Sequence, residues 1–210
     1  MNYFLGLLLV GSITATQIPE GAFVKPIKSA KISYTYKEVV VEAIFDCPYA
    51  KGGAKVELVE NLARIERRYN LPHNLRGLLL AAACHESGYN PEAKGDHRFS
   101  KSKHPKAIGL FQMWPWWEKH YKINRADPYA AAEAYMQHIK KSFDKIKKTC
   151  KYKSEKRTWL AAWATAIRAP KAGGRCNEKP KFYRILKRWY KTIDQERETT
   201  REHEKLVPGC

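Results

Sequence analysis

From Leu75 to Glu86 nearly every residue is apolar, and the run closes at Gly88 with Pro91 beyond it. A helix that is apolar on several sides must be enclosed by other elements, so this segment predicts the centre of a packed domain. The segments around it carry the matching pattern. Val56, Val59, Leu62, Ile65 and Tyr69 recur at three to four residues with Glu and Arg between them, an amphipathic helix. Asp127 reads as an N-cap with Pro128 at the first helical position, followed by Tyr135, Ile139, Phe143 and Ile146 on one face. Two more helices are expected over Thr158 to Arg168 and from Lys181 to about Arg197, the latter with Tyr183, Leu186, Trp189 and Ile193 as its stripe. Such stripes read as core. With 210 residues the chain has room for one domain, and the expected fold is mostly α: a single helical domain over residues 51–193 and a charged, fraying tail over 194–210.

The segment ahead of that domain reads differently. Pro19, Pro26 and Pro48 together with the β-branched run Val39–Val41 predict an extended arm or short strand over residues 16–50. Before it, Tyr3 to Val10 is apolar, Gly11, Ser12, Ala15 and Thr16 are small, and Pro19 follows. That order and length predict a signal peptide over residues 1–15 and an exported protein, and the run is too short to span a bilayer. No membrane insertion of the mature chain is expected.

Lys and Arg number 39 against 21 Asp and Glu, a formal charge of +18 that predicts attraction to nucleic acid, anionic lipid or cell wall. Two stretches concentrate it: Lys94, Arg98, Lys101, Lys103 and Lys106 in a loop with Gly95 and Pro105, and the run from Lys140 to Arg157. Solvated faces explain such runs equally well. The five cysteines, Cys47, Cys84, Cys150, Cys176 and Cys210, contain no C-x-x-C, which argues against a zinc or iron-sulfur site. In an oxidising compartment some should pair, and Cys150 with Cys176, which bracket one helical segment, is the first pairing to test.

The chemistry concentrates in A-A-A-C-H-E-S-G-Y-N-P, Ala81 to Pro91. A carboxyl at the end of a buried apolar helix is held where desolvation favours its neutral form, as a general acid near neutral pH requires. Glu86 is that residue; the alternative is an ordinary glutamate at a solvated helix end. His85 reads as structural, because helix neighbours point about 100° apart. Ser87 offers a hydroxyl to position the carboxyl or a substrate. A second element, A-I-G-L-F-Q-M-W-P from Ala107 to Pro115, brings a Gly for close backbone approach and the Gln112 amide. Trp114, Trp116 and Trp117 supply flat faces that suit either a sugar or the core.

Together these two elements resemble the catalytic domain of the soluble lytic transglycosylase family, relatives of goose-type lysozyme within the α+β lysozyme-like superfamily. The family's Glu-Ser opening matches Glu86 and Ser87, and its Gly-Leu-Met-Gln element matches Gly109, Leu110, Phe111 and Gln112. The resemblance spans about Val56 to Tyr190. The third family element, Ala-Tyr-Asn-Ala-Gly, meets Ala162, Trp163, Ala164, Thr165 and Ala166, so an indole and a methyl stand where the family has a phenol and an amide. Tyr135 and Tyr183 are the candidates to supply the missing hydrogen bond. The basic segment between Glu86 and Gly109 is longer than the family spacing and is expected to form a lip over the cleft.

The resemblance implies cleavage of the β-1,4 bond between N-acetylmuramic acid and N-acetylglucosamine, with Glu86 as acid and then base and a 1,6-anhydro product. It places substrate at Ser87, Gly109, Leu110, Phe111, Gln112, Trp163 and Tyr135, requires no metal or cofactor, and implies peptidoglycan glycan strands as the partner of a monomer. A hydrolytic muramidase of the same fold would need a second carboxylate, for which Asp96 and Glu92 are nearest in sequence. A non-catalytic cationic wall-binding module is the third reading. Nucleic acid is not an expected partner, since it would account for the charge but for neither the signal peptide nor the paired motifs.

Overall fold

The computed structural model describes residues 33–51, 53–97, 105–151, 154–168, 176 and 178–206. The expected signal peptide, the first half of the arm, Arg98, Lys101, Lys103 and Cys210 lie outside these residues.

Helical structure begins earlier than the β-branched run suggested. Tyr36–Phe45 form a helix, α1, where an extended arm was expected. The reason is local: Thr35 and Glu38 make a reciprocal capping box, the Glu38 amide donating to Thr35 Oγ1 at 3.3 Å and the Thr35 amide to Glu38 Oε2 at 2.8 Å. Pro48 lies outside the helix, and burial of Val39 and Ala43 in the core outweighs the weak strand preference of three valines.

Val56–Arg67 form α2, His73–Leu75 a single 3-10 turn, and Leu78–Ser87 form α3. The residues of α3 from Leu78 to Cys84 are all fully buried, as its all-round apolar sequence requires. Glu66 of α2 is fully buried too, and serves as an anionic cap: the Gly77 and Leu79 amides at the start of α3 donate to its two oxygens at 2.6 Å each. Burial pushes that carboxyl up to about 7, against the pull of these donors and the Tyr36 hydroxyl.

A two-stranded antiparallel sheet follows, β1 (Lys94–Gly95) and β2 (Ala107–Ile108), with Lys94 opposite Ile108. It forms the root of the basic segment expected to be a loop. Arg125 stitches it down, donating to the carbonyls of Lys106 at 2.6 Å and Met113 at 2.8 Å. Trp116–Tyr121 form a short helix, α4, then Pro128–Cys150 form α5, with Asp127 capping it as the sequence predicts. Glu155–Arg168 form α6, which packs along α5.

Tyr183–Leu206 form α7, so the tail expected to fray from residue 194 continues the helix. Three of its residues hold α1 and the residues flanking it: the Tyr34 hydroxyl donates to Asp194, Arg197 pairs with Glu38, and Arg188 forks onto Asp46. The fold is mostly α. Trp159, Trp163, Phe182 and Trp189 are the largest side chains of its core. Disulfides join Cys47 to Cys84 and Cys150 to Cys176, the second being the pairing expected. Two such bonds fit an oxidising compartment. Among the described residues no helix is long and apolar enough to cross a membrane.

Candidate functional site

Glu86 occupies the last turn of α3, where the buried part of the helix gives way to half-exposed residues. The helix stops there because Gly88 takes a left-handed conformation, φ +60°, with its amide donating to the Cys84 carbonyl at 2.9 Å. A Cβ at Gly88 would collide with the Tyr49 carbonyl oxygen, so the backbone of residues 49–50 lies directly against the end of the helix. The Cys47–Cys84 disulfide holds the same segment to α3. Glu86 is thereby fixed from one side.

Beside it opens a cleft of about 310 Å³, lined by His85, Glu86, Ala164, Lys179, Pro180, Lys181 and Phe182. Burial pushes the Glu86 carboxyl up to about 7, and the negative charge of Asp96 adds to the effect. Glu86 is therefore largely protonated at mildly acidic pH and can both give and take a proton close to neutrality. Beside it the His85 ring stacks on Tyr49 at 5.6 Å between centroids and meets Phe182 edge-on at 6.3 Å. Burial, then the cations of Lys181 and Arg184, pull its pKa down, which favours the neutral ring.

The remaining expected residues divide into those near the carboxyl and those behind it. Tyr135, from α5, is buried, and the Glu86 charge helps to hold its hydroxyl far above the ordinary phenol range, after burial itself. That hydroxyl and Trp163 Nε1 face each other within the core, the indole N–H acting on the hydroxyl as a donor although their geometry falls short of a well-formed hydrogen bond. Phe111 stacks beneath the Tyr135 ring at 4.7 Å, and Trp163 meets it edge-on at 6.2 Å. Trp163 is fully buried, so it supports the site from within the core, while Ala164 beside it reaches the cleft. Tyr183 does not join them; it lines a separate groove with Tyr34, Tyr190 and Lys187.

Leu110 is fully buried. Gly109, at φ +77°, lets the Arg125 carbonyl approach where a Cβ would sit. Gln112 turns its amide inward, Nε2 donating to the carbonyls of Ala93 at 3.1 Å and Gly109 at 3.0 Å. This element thus builds the wall that carries β1 and β2. Ser87 also bonds to its own helix, its hydroxyl donating to the Ala83 carbonyl at 3.2 Å.

The tryptophans separate in the same way. Trp117 is buried against Tyr135 and His138, whereas Trp114 is 38% exposed and donates from Nε1 to Asp96 at 2.9 Å. That bond secures the carboxylate whose charge reaches Glu86. Glu92 is exposed and adds nothing to the Glu86 carboxyl. The residues missing from the sequence reading are Lys179, Pro180, Lys181 and Phe182, which reach the cleft only through the packing of the segment before α7. Among the described residues no cluster of His, Cys, Asp or Glu is gathered as for a metal ion.

Comparison of the chain with models of known protein families, with curated proteins and with solved structures finds no match.

Proposed function

We propose that this chain is an exported enzyme that cleaves the β-1,4 bond between N-acetylmuramic acid and N-acetylglucosamine in peptidoglycan, as a lytic transglycosylase. The observation that carries the reading is a single carboxyl raised to about 7 at the edge of a cleft, with an apolar helix behind it. Protonated Glu86 gives its proton to the glycosidic oxygen as the bond from that oxygen to C1 of the muramyl sugar breaks. The resulting carboxylate takes the proton of the muramyl 6-hydroxyl, whose oxygen closes on C1 as a 1,6-anhydro ring. Glu86 ends protonated as it began, and no water is consumed. One carboxyl that spans neutrality suffices for both transfers.

The Tyr135 hydroxyl, buried near Glu86 and only loosely met by the Trp163 indole, is a group in this chain able to supply the hydrogen bond for which the family uses the Tyr and Asn of its third element. The methyl of Ala164 leaves that part of the cleft open for the sugar. The two disulfides and the apolar amino terminus support a periplasmic or secreted location, and a charge of +18 supports adhesion to an anionic wall.

Asp96 favours a second reading, hydrolysis by a muramidase, because its charge reaches Glu86 and a paired carboxylate is what activation of water or a glycosyl-enzyme intermediate needs. Mass spectrometry of products released from purified peptidoglycan, with Glu86→Gln and Asp96→Asn variants alongside, decides between them. Anhydro products that vanish with Glu86→Gln and persist with Asp96→Asn support the transglycosylase. Reducing-end products that vanish with both support the hydrolase. The absence of products from the unaltered protein overturns both and leaves a wall-binding module.

A further inference from the structure

We propose that Lys179 and Lys181 form a carboxylate-reading rim over the Glu86 cleft, which selects a glycan carrying a carboxylate close to the scissile bond over an uncharged glycan of the same backbone. The inference rests on the proposed glycan substrate and adds to it the chemical feature by which the site recognises its ligand.

The segment that feeds α7 is built to present these two side chains. Pro180 and Phe182 are buried, while Lys179 and Lys181 between and before them are exposed, so the apolar residues anchor the backbone and the cations stand outward. Successive turns fix its course, the amides of Tyr183, Arg184 and Ile185 donating to the carbonyls of Pro180, Lys181 and Phe182 at 3.1, 3.3 and 2.9 Å. A few residues upstream the Cys150–Cys176 disulfide ties the segment to the end of α5. The rim is therefore held in place at both ends.

In the lining of the cleft the cations outnumber the acids. Of the residues lining the cleft, Glu86 is the sole acid, and in the form ready to donate a proton it carries no charge. The acid-ready cleft then holds two cations and no anion. The Lys181 field extends to the cleft floor, where it acts on the His85 ring. Asp96 influences Glu86 but does not line the cleft. A lysine ammonium is a compact point charge on a flexible stem, suited to a carboxylate whose exact position varies. In a muramyl glycan that carboxylate has two sources: the lactyl group of a strand stripped of peptide, or the stem peptide of an intact strand.

The test is equilibrium titration of the full chain carrying Glu86→Gln, which prevents turnover, with three tetrasaccharides: a chito-oligosaccharide, a peptide-free muramyl glycan and a stem-bearing muramyl glycan. The same titrations are made with Lys179→Met and Lys181→Met added, and with Lys179→Arg and Lys181→Arg added. The expected result is a loss of about three- to tenfold in affinity for a carboxylated glycan in the Met form, as for one or two partly exposed ion pairs. The chito-oligosaccharide should be unaffected and the Arg form should retain affinity. The carboxylated glycan that responds identifies the source. Equal losses on all three glycans, no loss on either carboxylated one, or no binding of any by the starting protein would overturn the proposal. Lysine-dependent binding by a protein whose unaltered form makes no product sinks the proposed reaction and keeps the rim; product formation with lysine-independent binding does the reverse.

Discussion

The α-carbon of Gly88 rests against the carbonyl oxygen of Tyr49, two residues after the carboxyl that the cleft exposes. No side chain fits there, and the backbone at φ +60° disfavours any residue with a Cβ. Gly88→Ala should therefore cost about 1–3 kcal/mol or more. Thermal denaturation should show a clear fall in midpoint, and activity should fall with it, since the turn that ends α3 also sets the direction of Glu86. An unchanged midpoint would show that the Tyr49 segment yields easily.

Glu86 makes the pH response of the protein predictable. Its carboxyl rises from an ordinary value of 4.5 to about 7 in the fold, so between these values the folded state binds more protons than the unfolded one. Stability should consequently decline as pH rises across that window. Glu86→Gln should match the unaltered protein below the window and exceed it above, which denaturant titration at a series of pH values would reveal. Turnover should fall as pH rises through about 7 because the acid is lost, and should drop in Glu86→Gln by about 10²–10⁴-fold.

Tyr135→Phe removes a buried hydroxyl that the Trp163 indole meets only with poor geometry. Its removal should change the melting temperature little, because the indole contact is poorly formed and the ring still packs on Phe111. Turnover should nonetheless fall about tenfold, the size of one directed hydrogen bond. A variant with normal turnover would assign Tyr135 to the core alone.

Glu66 holds the start of α3 through two buried amides. Glu66→Leu leaves both unpaired and should cost about 2–4 kcal/mol, whereas Glu66→Gln keeps a carbonyl acceptor and should cost less. Chemical denaturation of the two variants gives the ordering directly. Equal losses would mean that the charge of the cap, rather than its donors, decides the matter.

Replacing Cys150 and Cys176 together by Ser should lower stability by about 2–4 kcal/mol through the freed loop. It should also loosen the segment leading to Lys179 and raise KM more than it lowers kcat. Peptide mapping without reduction should recover Cys150 and Cys176 in one linked fragment, and a free thiol at either would refute the pairing.

Much of the helical frame was legible because burial leaves a period in the residues. The stripe of α2, the all-apolar α3 with its stop at Gly88, and the Asp127–Pro128 start of α5 each follow from short-range rules. The α1 helix carries two competing signals: Thr35 and Glu38 stand three apart as a capping box requires, while Val39–Val41 favour a strand. The candidate site was legible only at Glu86 and in the motif residues around it. Whether Trp117 faces a sugar or Tyr135 depends on how α4 packs against α5, and the approach of Lys181 to a residue on α3 depends on the last third of the chain. Neither relation leaves a local pattern.

The ion pairs and hydrogen bonds that join α1 to α7 link residues 142 to 160 positions apart. During synthesis at about 5–20 residues per second, α1 waits for α7 to emerge, because the helix that receives the Tyr34 hydroxyl is made 160 positions later. Closing so long a loop is entropically slow, and it must come after the local pairings of α2 with α3 and α5 with α6. The Cys47–Cys84 bond spans 37 residues and can close without α7. Until the two ends meet, Tyr34 and Glu38 lack the Asp194 and Arg197 side chains that hold them, so α1 gains these long-range contacts late in folding.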